Sequence, residues 1–230
     1  VRFRYTSPAG EENYPGELAT EVTYILTAAG ELRIEYKATT DAPTICNFTN
    51  HTYWNLAGEA SDRTICDHTL QLECDEYTPG VEMIPTGEIA AVTGPLDFRA
   101  ATRIGDLLPQ LPVAEGDMPG YDHNFVVRRD ATGDAAGDAA GLVPAAKLSD
   151  PASGRTMEVL ATQPGIQVYT ANWFDGSDVG KGGVAYQQHY GVALETQHFP
   201  DSINQPNFPS TVLRPGDTYA HTTAFRFGTE

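Results

Sequence analysis

The chain has 230 residues, 40% of them hydrophobic and 20% charged, which suits one globular domain with a sizeable core. Its 31 acidic and 14 basic side chains leave a net charge of −17. That argues against nucleic acid and anionic membranes as partners, since both need clustered Lys and Arg to displace counterions, and no apolar run approaches the ~20 residues that cross a bilayer.

The sequence opens at Val1 with no basic, apolar signal segment, so a processed or truncated amino terminus is expected. Period-two alternation dominates the chain. Residues 22–27 lead through an Ala-Ala-Gly turn into Leu32, Ile34, Tyr36 and Ala38, which alternate with Arg33, Glu35 and Lys37. This pattern predicts a half-buried hairpin. The run NFTNHTYWNLAG, at 47–58, also reads as a strand. Its repeat puts Asn47, Thr49, His51 and Tyr53 on one face, and Phe48, Asn50, Thr52 and Trp54 on the other.

Leu70, Leu72 and Cys74 alternate next, and a short helix is predicted around 100–108. The segment DATGDAAGDAAG, at 130–141, spaces its aspartates four apart. Calcium loops alternate more tightly, so this segment is predicted to be a loop closing a hairpin between 125–128 and 146–148. Further strands are marked by Met157, Val159 and Ala161, then by Ile166, Val168 and Thr170. The last carries Tyr219, His221, Thr223, Phe225 and Phe227 on one face. Many short strands punctuated by Gly and Pro predict an all-β sandwich or barrel.

Cys46, Cys66 and Cys74 are an odd count without a CxxC pair, which argues against a zinc site or a disulfide scaffold. They are read as buried free thiols, which favours a reducing, cytoplasmic setting. The sequence holds no GxSxG elbow, GxGxxG or phosphate loop, and no HExxH, so covalent hydrolase and nucleotide-binding readings lose their footing.

Two residues carry the chemistry that is left. His51 sits in a polar row with aromatic members, the composition of a sugar pocket, where hydroxyls bond polar groups and C–H faces stack on rings. The alternative is a histidine satisfied inside the sheet. Glu195 follows the apolar run Gly191, Val192, Ala193 and Leu194. A glutamate there is costly unless paired or functional, and burial would raise its pKa toward the range of a general base. Asp122, in GYDHNFVV, either joins such a site or shapes an Asx turn with Asn124. Gln167 alternates with Ile166 and Val168, pointing into a pocket or finishing an edge strand. His68, His123, His189 and His221 are read as structural or exposed. Asn47-Phe48-Thr49 and Asn50-His51-Thr52 match the glycosylation sequon, an accident if the strand is packed.

The motifs NFTNHTYWNLAG, GYDHNFVV, QPGIQVYTANWFDG and LETQHFPDSINQPNFPSTVLRPGDTYAHTTAFRF closely resemble, in order, those of the aldose 1-epimerase (galactose mutarotase) family. The likeness runs from SPAGEENYPGEL, at 7–18, to the last strand. It implies an all-β fold, a large β-sandwich of the galactose mutarotase type, here as a single domain over 1–230. It also implies that Glu195 is the catalytic base and His51 the acid. Thr52, Tyr53, Asp122 and Gln167 would hold substrate hydroxyls, and neither metal nor organic cofactor is needed. The implied partner is a neutral sugar such as galactose or glucose. The family carries an additional amino-terminal stretch, with an Asn-Arg pair and a second active-site histidine, that has no counterpart here. The resemblance therefore implies an incomplete sheet with exposed edges, completed by a missing segment or a second chain. Two other readings are a hexose-6-phosphate 1-epimerase and a non-catalytic sugar-binding or sensing module on the same scaffold.

Overall fold

Residues 1–113, 116–129 and 141–230 are described by a computed structural model. In chain order its main strands are β1 (Arg2–Ser7), β2 (Leu18–Leu26), β3 (Glu31–Thr40), β4 (Tyr53–Trp54), β5 (Thr69–Leu72), β6 (Cys74–Thr78) and β7 (Ala90–Ala91). There follow β8 (Thr102–Arg103), β9 (Asp122–Val127), β10 (Val143–Asp150), β11 (Arg155–Ala161), β12 (Gly165–Tyr169), β13 (Val192–Gln197) and β14 (Tyr219–Thr229). An eight-stranded antiparallel sheet has the order β1-β2-β3-β14-β11-β10-β5-β8, and a six-stranded one β7-β6-β9-β12-β13-β4.

The predicted alternation explains how the sheets meet. In β3, Ile34, Tyr36 and Ala38 are buried while Glu35 and Lys37 are exposed. With Leu70, Leu148, Met157, Val159 and Phe225 they form the inner face of the larger sheet, packed in one core with Phe125, Ile166, Val168 and Leu194 of the smaller. Trp54 and Phe225 meet across the core at a tilt of 47°, ring centroids 4.9 Å apart. The all-β sandwich is therefore the observed architecture, and the hairpin of β2 and β3 pairs Leu26 with Leu32 as its first rung. β1 is an edge strand, exposed from Arg2 to Thr6.

Four expectations are corrected. Leu70, Leu72 and Cys74 are all buried, yet the run is two strands: β5 belongs to the larger sheet and β6 to the smaller, and the chain changes sheet at Glu73. The helix at 100–108 shrinks to α1 (Ile104–Leu107) followed by a 3-10 turn, Leu108–Gln110, because Pro109 has no N–H to continue the α ladder. Strands β9 and β10 lie in different sheets, so the segment between them joins the sheets and does not close a hairpin. Residues 130–140, where the sequence predicts a loop, lie outside the described residues. Finally, residues 46–52 are irregular, with strand only at Tyr53–Trp54. All three cysteines are free thiols, with Cys46 and Cys74 buried and Cys66 half-buried. Among the described residues no helix is long and apolar enough to cross a membrane.

Candidate active site

The face of the smaller sheet turned away from the core carries the polar residues. Register sets them in rows: Asn124, Gln167 and Glu195 lie opposite one another on β9, β12 and β13. Asp122, Tyr169, Ala193 and Tyr53 form the next row two residues along. Rows two residues apart share a face, so the strand period alone gathers these side chains. The row between them buries Val168 and Leu194 in the core, and the row beyond buries Phe125 and Ile166; that packing fixes the orientation of the polar face.

Glu195 is only 7% exposed. The ring of His51 reaches over it, with Nε2 3.4 Å from Oε1 and nearly half of the histidine side chain open to solvent. Burial pushes the Glu195 carboxyl above its ordinary range, and the charge of Asp122 adds to this, while His51 pulls the other way. Asp122 is also raised by burial, opposed by a hydrogen bond from Gln167 and by His51. Gln167 Nε2 donates to Asp122 Oδ1 at 2.6 Å.

Two buried amide oxygens on this face, Gln167 Oε1 and Asn124 Oδ1, have no hydrogen-bond partner among the described residues. Buried acceptors without partners are uncommon. Aromatic rings close one side: Tyr53 lies 4.9 Å from His51 and 4.8 Å from Phe174, and Tyr169 lies 6.0 Å from His51. A cleft of about 320 Å³ opens beside Asp122, Asn124 and Gln167, bounded also by Asn172 and Trp173. Its charged walls are Glu82, Asp117 and Asp122, with no Lys or Arg.

The structure thus gathers His51, Tyr53, Asp122, Gln167 and Glu195. It does not bring in Thr52, which is exposed, its backbone N–H donating to Asn50 Oδ1 at 3.2 Å. The predicted polar row of Asn47, Thr49 and His51 is also divided. Asn47 is taken up by the backbone of His198 and Thr49 by the carbonyl of Thr196, so only His51 and Tyr53 face the site. Asp122 forms no Asx turn with Asn124, which donates instead to Thr78. Asn124 is the residue that sequence reasoning missed as part of the site. The signal was present, since Asp122 and Asn124 alternate with His123 and the core residue Phe125.

The fold and this face define a β-sandwich with an imidazole–carboxylate pair on a face open to solvent. The aldose 1-epimerase profile matches residues 1–226, and the chain belongs to that family. It is 44% identical over 229 residues to galactose mutarotase from Homo sapiens, covering 99% of this chain and 62% of that protein. It is 36% identical over 234 residues to aldose 1-epimerase from Escherichia coli (strain K12), covering 99% and 63%. Among solved structures, the GalM/aldose epimerase homologue from C. elegans superposes with a TM-score of 0.86 at 27% identity, covering 100% of this chain and 65% of that one. Galactose 1-epimerase from Lactobacillus acidophilus NCFM gives 0.75 at 26% identity, covering 99% and 62%. The chain spans about 62% of the length of the curated galactose mutarotases it matches.

Proposed function

We propose that this chain carries the acid–base site of an aldose 1-epimerase that interconverts the α and β anomers of neutral aldohexoses such as galactose and glucose. The observation that carries the reading is His51 Nε2 placed 3.4 Å from Glu195 Oε1. The two oxygens that exchange protons in mutarotation, the C1 hydroxyl and the ring oxygen, are bonded to the same carbon. A base and an acid serving them must therefore be close neighbours.

Glu195 accepts the proton of the C1 hydroxyl, and the O–H electron pair becomes the C1 carbonyl. The bond between C1 and the ring oxygen breaks, its pair going to that oxygen, which takes a proton from protonated His51. Rotation about C1–C2 presents the other carbonyl face. On closure His51 withdraws the C5 hydroxyl proton, Glu195 returns its proton to the carbonyl oxygen, and both groups are restored. A positioned acid and base each contribute about 10²–10⁴-fold. Burial of Glu195 matches it to a proton that a solvated carboxylate removes poorly. Asp122, Gln167 and Asn124 hold hydroxyls, while Tyr53 and Tyr169 offer ring faces to sugar C–H bonds.

The acidic cleft walls favour a neutral sugar over a hexose phosphate. The reading treats 1–230 as one sandwich domain, and its free thiols support a reducing compartment such as the cytoplasm. Polarimetry on freshly dissolved α-D-galactose and α-D-glucose tests the activity, with Glu195→Gln and His51→Asn as controls. A rate no faster than buffer overturns the enzyme reading, and sugar binding without acceleration replaces it with a non-catalytic module. Faster turnover of glucose 6-phosphate than of glucose moves the assignment to phosphorylated hexoses.

A further inference from the structure

The segment bearing His51 has no backbone ladder of its own until Tyr53, where it pairs with Ala193. Upstream, it is tied to the strand bearing Glu195 by side chains. Asn47 Oδ1 accepts the His198 N–H at 2.9 Å and Asn47 Nδ2 donates to the His198 carbonyl at 3.0 Å. Two residues on, Thr49 Oγ1 donates to the Thr196 carbonyl at 3.1 Å. The steps from Asn47 to Thr49 and from His198 to Thr196 are those of an antiparallel pair, with side-chain groups in place of one backbone. Asn50 Nδ2 donates to the Tyr24 hydroxyl, and Asn50 Oδ1 accepts the Thr52 N–H. Backbone bonds hold both flanks of 46–52, through Ile45 with Val212 and through Tyr53 with Ala193.

We propose that Asn47 is a positioning residue for the acid–base pair, its two-point grip on the His198 backbone setting where His51 stands over Glu195. It touches neither partner; it fixes the separation between two chain segments 151 residues apart. An amide is the side chain that suits this task, because it offers one acceptor and one donor in the geometry of a peptide group. Aspartate keeps the acceptor and loses the donor, and alanine loses both. A catalytic group displaced by about 1 Å loses about 10²-fold in rate, so the grip acts on kcat far more than on KM. Gln163 steadies the gripped residue, its Oε1 accepting from His198 Nδ1 at 2.8 Å.

This inference rests on the assignment of His51 and Glu195 as acid and base, and two independent readouts separate its failure from failure of that assignment. The first is a double-mutant cycle on mutarotation. Asn47→Ala is expected to lower kcat by about 10²-fold with KM within about threefold, and to lower it no further in a His51→Asn background. Equal losses in both backgrounds overturn the proposal, since a purely structural role acts on both alike. The second is the crystal structure of Asn47→Ala, which needs no activity. The His51 ring is expected to leave its place over Glu195, where Nε2 stands 3.4 Å from Oε1 in the unaltered chain. An undisturbed pair in Asn47→Ala overturns the proposal even if the chain proves inactive. A displaced ring in an inactive chain supports the grip while the enzyme reading falls.

Discussion

Gln167 gives an amide proton to Asp122 at 2.6 Å and keeps its own carbonyl oxygen buried without a partner. One end of the side chain orients a carboxylate, and on the proposed reading the other accepts from a sugar hydroxyl. Replacing it by Met, similar in length and apolar, removes both functions. A buried hydrogen bond of this kind contributes about 1–1.5 kcal/mol, or about tenfold in affinity. Titration calorimetry with galactose should show that loss in Gln167→Met, with a smaller change in kcat than in KM.

Glu195→Gln should cost about 10²–10⁴-fold in mutarotation rate while making the fold more stable at neutral pH. The Glu195 pKa is raised in the folded protein, chiefly by burial, so folding favours the protonated form. That contribution is fully present below the unfolded value near 4.5 and is lost as pH rises through the higher folded value. Glutamine keeps the neutral form at every pH. A higher melting temperature than wild type at pH 7 is expected. The difference should fade below pH 4, and thermal melts across that range check it.

On the proposed mechanism the acid limb of kcat/KM should report the same carboxyl, because a protonated Glu195 cannot act as base. Its midpoint is expected above the ordinary glutamate value. Asp122 contributes to that elevation, so Asp122→Asn should move the limb to lower pH as well as weakening sugar binding. A limb that stays in place would assign the elevation to burial alone. Stopped-flow polarimetry or a coupled hexose assay across pH 3–7 measures it.

Much of this arrangement was legible in the sequence because a strand has a two-residue period. Gln167 alternates with the core residues Ile166 and Val168, whereas Glu195 follows an unbroken apolar run and was marked only by the cost of a buried carboxylate. The stretch 47–52 departs from expectation for a related reason. Asn47, Thr49 and His51 obey the same period, but the side chains of Asn47 and Thr49 bind backbone, and no local pattern announces a partner about 150 residues away. Glu73 shows the same limit: Leu70, Leu72 and Cys74 are buried in step, and the change of sheet between them depends on which strands lie alongside.

Asp150 offers a carboxylate of opposite character, against which the site can be judged. It is 1% exposed, on β10 of the larger sheet, and Arg63 grips both its oxygens at 3.0 and 2.6 Å. The Arg63 bond leads the causes that hold its pKa well below the usual carboxylate range, with Ser153 and the Ala152 N–H assisting. Here the folded pKa is depressed, so the stabilisation is present above the unfolded value near 3.8 and is lost as pH falls toward the folded one. Asp150→Asn should therefore melt several degrees below wild type at pH 7, and the gap should narrow below pH 4. The variant's mutarotation rate should be unchanged while it stays folded, because Asp150 lies outside the polar face of the smaller sheet. Glu195→Gln should do the reverse on both counts, gaining stability and losing rate. Melts and rates on the two variants across the same pH series thus distinguish a carboxylate kept for the fold from one kept for chemistry.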